Sequence, residues 1–82
     1  MEFPQYRKYI NGSSYFKIVS KREFEEIQVV GSALIKHTVV AIQFPELRSI
    51  QDMLEQHEAR WVKIMPGEYD ELLERYSTQA SS

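Results

Sequence analysis

The chain has no cysteine, which excludes disulfides, thiolate zinc sites, iron–sulfur ligation and cysteine nucleophiles together. Glycine occurs only at 12, 31 and 67, too sparsely for a phosphate-cradling loop, and the sequence holds no nucleophile elbow, paired-histidine metalloprotease helix or calcium loop. Long apolar runs are absent as well. The longest aliphatic stretch, Val39-Val40-Ala41-Ile42, falls short of the roughly 7 to 15 residues of a signal-peptide core and the ~20 of a spanning helix. These absences lead us to expect a cytoplasmic protein with no membrane contact and no cofactor. With 82 residues the core must be thin, and a deep enclosed pocket would compete with it for the same side chains.

What is present reads as a folded chain, with 43% hydrophobic, 27% charged and 12% aromatic residues. Asn11-Gly12 lies between aromatic and β-branched residues and predicts a hairpin over residues 6–19, because this dipeptide accepts the positive φ angles of a tight turn. A two-residue loop pairs Ile10 with Ser13 and a four-residue loop pairs it with Tyr15. Either way Tyr9, Phe16 and Ile18 share a face.

Ser20 stands three residues before Glu23, the spacing of a reciprocal helix cap, and predicts a short helix over residues 21–30 ending at Gly31. The rival reading makes residues 24–30 a strand, hairpinned to the next through Gly31-Ser32. Residues 34–44 are rich in β-branched side chains and predict the longest strand, central in its sheet. Pro45 ends it and opens a helix to Gln56, in which Leu47, Ile50, Met53 and Leu54 recur on one face. A strand over 59–65 carries Trp61. Pro66-Gly67 then opens a helix with Tyr69, Leu72, Leu73 and Tyr76 at core spacing.

The stretch from Tyr15 to Ile27 echoes that from Trp61 to Leu72, as two strand-to-helix transitions would. The sum is a single α+β domain over residues 1–76, a mostly antiparallel sheet of about four strands with two or three helices packed on one face. Residues 77–82 form a polar tail expected to fray, so that removing them should leave stability almost unchanged.

Candidate chemistry is scattered. His37, His57 and nearby carboxylates could in principle ligate a metal, yet no ligand spacing marks a site. The pairs Glu25-Glu26 and Asp70-Glu71 are adjacent, point about 100° apart on a helix and do not form a shared-proton dyad. Ser13 and Ser14 have turn roles and no positioned base. An enzyme is therefore not expected.

Charge is unevenly distributed: residues 1–22 carry a net +4 and residues 23–82 a net −6. Arg7, Lys8, Lys17, Lys21 and Arg22, interleaved with aromatic residues, could follow a phosphate backbone while the rings stack on bases. Against this, the pI is about 5.6. The favoured expectation is a protein-interaction module or self-associating domain, since a small sheet leaves edges that recruit a strand from a protein partner or a second copy. Tyr6, Tyr15 and Tyr76 are its candidate interface residues, with Trp61 and Tyr69 assigned to the core. Single-stranded nucleic-acid binding through the basic hairpin is the alternative.

Overall fold

The computed structural model of the chain describes residues 2–55 and 60–81. In it, residues whose side chains alternate between two faces form strands β1 (Gln5–Tyr9), β2 (Ser14–Ser20), β3 (Glu23–Val30) and β4 (Ala33–Val40). Helix α1 (Phe44–Glu55), the short strand β5 (Trp61–Lys63) and helix α2 (Pro66–Ser81) follow. The first four strands form an antiparallel meander, and β5 returns antiparallel beside β1. The sheet thus has five strands in the order β4-β3-β2-β1-β5, one more than the sequence suggested. Among the described residues no helix is long and apolar enough to cross a membrane.

The turns follow their residues. At the first hairpin Gly12 takes a φ of 74°, its N–H bonds the Tyr9 carbonyl and the Asn11 side chain accepts from Ser13 N–H. Gln5 to Lys8 pair with Ile18 to Tyr15, the alignment of the shorter predicted loop. Gly31, at φ 61°, turns β3 into β4 with Val30 opposite Ala33.

Residues 21–30 are therefore not a helix. Ser20 uses its hydroxyl to accept from the N–H of Arg22 two residues on, which supports the β2–β3 turn instead of a helix cap. The strand alternative, hairpinned through Gly31-Ser32, is the one adopted. The echo between the two halves breaks here, since only the second aromatic strand leads into a helix.

The pairing register sorts the side chains. Phe16, Ile18, Phe24 and Trp61 lie on one face and meet Ile50 and Met53 of α1, with Tyr9, Val39, Leu47 and Leu54 packed around them. Ile27 and Leu34 lie on the other face under Tyr69 and Leu72 of α2, joined by Tyr6, Tyr15, Ile64, Leu73 and Tyr76. The two helices cover opposite faces of the sheet, where the sequence reading placed them on one. β3 buries Phe24 on one face and Ile27 on the other, so each face of the sheet needs its own cover.

Two further boundaries differ. β4 stops at Val40, Phe44 already belongs to α1, and β4 is an edge strand instead of a central one. Glu46 explains the early helix start: its carboxylate accepts from the N–H of Ile42 at 3.0 Å and of Gln43 at 3.5 Å, the returning half of a capping box. At the other end, residues 77–81 continue α2 instead of fraying. The Gln79 amide reaches β4, donating to the Leu34 carbonyl at 2.7 Å and accepting from the Leu34 N–H at 2.8 Å.

Two expectations follow for thermal or denaturant unfolding. Trp61, 7% exposed and stacked on Tyr9 at 5.9 Å, makes Trp61→Ala cost about 3–5 kcal/mol. Gln79→Ala removes two partly buried hydrogen bonds and costs about 1–2 kcal/mol, where a frayed tail would give no change.

Candidate functional site

The five cations of the N-terminal segment take different surroundings. Arg7 turns inward from β1 and is only 3% exposed. Its Nε donates to the carbonyl of Met53 at 3.0 Å, and Nη2 donates to Gln5 Oε1 at 2.8 Å and, at 3.4 Å, to the carbonyl of Leu54. Nη1 donates to the Tyr6 carbonyl at 2.9 Å. The last described turn of α1 contains no basic residue, so the sheet supplies the cation that the helix dipole favours there. Burial lowers the pKa of Arg7 from its ordinary value, although a guanidinium stays charged. This is a structural role, and it removes Arg7 from any phosphate-contacting surface.

Lys8 points to the α2 face, bonds Glu68 at 2.9 Å and sits over the Tyr15 ring at 5.7 Å. The bond to Glu68 raises its pKa. Lys17 is half-buried on the same face, opposite Tyr6 and Glu25 in the ladder. Lys21 and Arg22 are exposed at the β2–β3 turn, where Lys21 borders a groove against Leu47, Ile50 and Leu54 of α1. The structure does not gather the five into one basic surface.

The three candidate interface tyrosines are gathered, but in the packing between the sheet and α2, to which Tyr76 itself belongs. Tyr6, Tyr15 and Tyr76 are all half-buried and pack on the cluster around Ile27 and Tyr69. Tyr6 lies 5.6 Å from the Tyr69 ring. Tyr69 is fully buried, and its hydroxyl donates to Glu25 Oε1 at 3.3 Å, while Lys36 lies 3.6 Å from the same oxygen. Burial, then the nearby Glu25 charge, raises the Tyr69 pKa well above its ordinary value.

His37 is exposed on β4, its Nε2 3.3 Å from Gln28 Oε1, and stands opposite Glu26, which accepts from the buried Ser14 hydroxyl at 2.8 Å. His57 lies outside the described residues. Among the described residues no three of histidine, aspartate and glutamate converge as metal ligands would.

The feature that sequence reasoning missed is the free side of β4. Both main-chain groups of Leu34 are taken by Gln79, so they face away from β3. In an antiparallel ladder that orientation recurs at every second residue, so Lys36, Thr38 and Val40 also turn their N–H and C=O outward. Among the described residues no strand or side chain bonds these outward groups.

The same segment holds most of the exposed apolar surface. Val30, Ile35, Val40, Ile42 and Phe44 are five of the seven large hydrophobics exposed among the described residues, and Ile42 reaches 82%. The available signal was the polar insert Lys36-His37-Thr38 within a β-branched run, since a charge in mid-strand marks an edge.

Compared with known proteins, the chain matches no family model, no curated protein and no solved structure, so its own geometry is the guide to function.

Substitution of the five cations separates their roles. Arg7→Ala removes the hydrogen bonds of a buried guanidinium and costs about 2–4 kcal/mol, whereas Lys21→Ala and Arg22→Ala each stay within about 0.5 kcal/mol. Equal costs at all three sites in urea unfolding would contradict this division.

The Tyr69 hydroxyl gives a pH signature. Its folded-state pKa lies above the ordinary value of about 10, so its stabilisation is complete below that pH and is lost above it, as the unfolded chain releases a proton that the folded one retains. Tyr69→Phe should therefore lose less stability than the parent protein between pH 10 and 12.

Proposed function

We propose that this chain is a non-enzymatic binding module that docks a partner polypeptide as an added strand along β4. The observation carrying this reading is the row of outward main-chain groups on Lys36, Thr38 and Val40, bordered by exposed Val40, Ile42 and Phe44. Strand addition draws affinity from main-chain hydrogen bonds and specificity from side chains on either side of the new strand. An edge of this kind is ordinarily covered, shortened or charged in proteins that avoid pairing. Here Gln79 covers only the Leu34 end.

The tyrosines act behind this surface instead of on it. Tyr6 and Tyr15 from the sheet and Tyr76 from α2 pack on one cluster that holds the helix, and with it Gln79, against β4. Single-stranded nucleic-acid binding finds less support, because Arg7 is engaged with α1 and Lys8 with Glu68. Only Lys17, Lys21 and Arg22 would then be left for phosphates.

Photo-crosslinking tests the reading in the cells that make the protein. A photo-reactive residue in place of Thr38 or Val40 should give a discrete protein adduct, while one in place of the exposed Arg48 or Gln51 on α1 should give none. No adduct from β4, or equal adducts from both elements, would overturn the assignment.

A further inference from the structure

We infer that the strand added to β4 is the β4 of a second copy of this chain, running antiparallel and centred on Thr38. This rests on the edge-docking reading above and names its occupant. The open stretch has two natural limits. At one end the main-chain groups of Leu34 belong to Gln79. At the other, the N–H of Ala41 bonds the Arg22 carbonyl as the chain leaves the sheet for α1. Between them lie the outward groups of Lys36, Thr38 and Val40, and these are symmetric about Thr38.

A two-fold axis through Thr38 sets Lys36 opposite the second copy's Val40 and Thr38 opposite its own counterpart. Every open residue then enters a hydrogen-bonded pair, each exchanging two bonds. Neighbouring registers are poorer. Centring on His37 brings Val40 against Leu34, whose groups Gln79 already holds. Centring on Lys36 sets ammonium against ammonium and again meets Leu34 at its ends, and like charges directly opposite destabilise a sheet.

The side chains favour the Thr38 register for the same reasons of fit. Threonine pairs well with threonine across strands. Lys36 brings no uncompensated charge, because Glu25 of its own chain lies 3.6 Å away, and its aliphatic stem is free to cover Val40, 57% exposed in the single chain. On the other face His37 meets Val39 and Ile35 meets Ala41, with no charge opposing a like charge. Such pairing is isologous and closed, so one contact consumes the edge of both copies and no fibre grows from it. Pairing through one short strand sits at the small end of interface sizes, below ~1,200 Å², where weak and transient contacts fall.

The absence of cysteine makes the register directly readable. In single variants Lys36→Cys, Thr38→Cys and Val40→Cys under mild oxidation, Thr38→Cys should crosslink to itself at least ~10-fold faster than the other two. Directly opposed Cα atoms sit about 5.5 Å apart, within disulfide reach, whereas the other two sites lie about 13 Å from their own counterparts. Mixing Lys36→Cys with Val40→Cys should restore fast crosslinking.

Sedimentation equilibrium of the cysteine-free chain should show a mass rising from 9.7 kDa toward twice that value with concentration. Thr38→Pro should stay at 9.7 kDa with an unchanged far-UV circular dichroism spectrum, since the N–H it loses faces out of the sheet. A parent chain monomeric at every concentration overturns the inference. So does a dimer that persists in folded Thr38→Pro, or fastest self-crosslinking at Lys36→Cys or Val40→Cys. If the chain is monomeric and photo-adducts from β4 contain a different protein, self-pairing falls and edge docking stands. If β4 gives no adduct at all, both fall.

Discussion

One helix is available for each face of the sheet, and that limit shapes the rest of the molecule. Twelve residues of α1 must shield the aromatic cluster around Phe16, Phe24 and Trp61, and α2 must shield Ile27 and Leu34. A helix this short makes few contacts, and α1 is fixed at its C-terminal end by the Arg7 guanidinium entering from β1. The arrangement ties the first strand to the helix that covers its side of the sheet. A charge that looks available for an anionic ligand is instead the complement of a helix dipole.

The same limit leaves the rim of the sheet uncovered. β5 is three residues long, and a short strand offers little edge to a partner. β4 has eight residues, of which α2 reaches only the beginning through Gln79. Its remaining outward groups lie beside exposed Val40, Ile42 and Phe44.

Local chemistry made several elements legible. Asn11-Gly12, Gly31-Ser32 as the rival turn, Pro66 at a helix start and the spacing of Ile50 and Met53 all depend on neighbouring residues. β3 was harder to read because its burial crosses the sheet: Phe24 packs toward α1, Ile27 toward α2, and Glu25 is engaged by Tyr69 and Lys36. A strand covered on both sides in different places shows no clean alternation, and a serine before a glutamate then imitates a helix cap. Arg7 was illegible for another reason. The helix carbonyls it bonds lie 46 and 47 residues away, and nothing next to it in the sequence marks it as buried. The edge position of β4 also depends on distant pairing, though Lys36 in mid-strand was a local hint of it.

The strand order also bears on how the chain assembles. β1 to β4 pair only with sequence neighbours, so the meander closes through short turns, whereas β5 must return to β1 across some fifty residues. Contacts between sequence neighbours form faster than those that close a long loop. During synthesis β1 to β4 and then α1 leave the ribosome before Trp61 does. Until β5 and α2 follow, β1 and β4 are both edges and the face of Ile27 and Leu34 has no helix over it, so the growing chain is most adhesive before its last quarter is made.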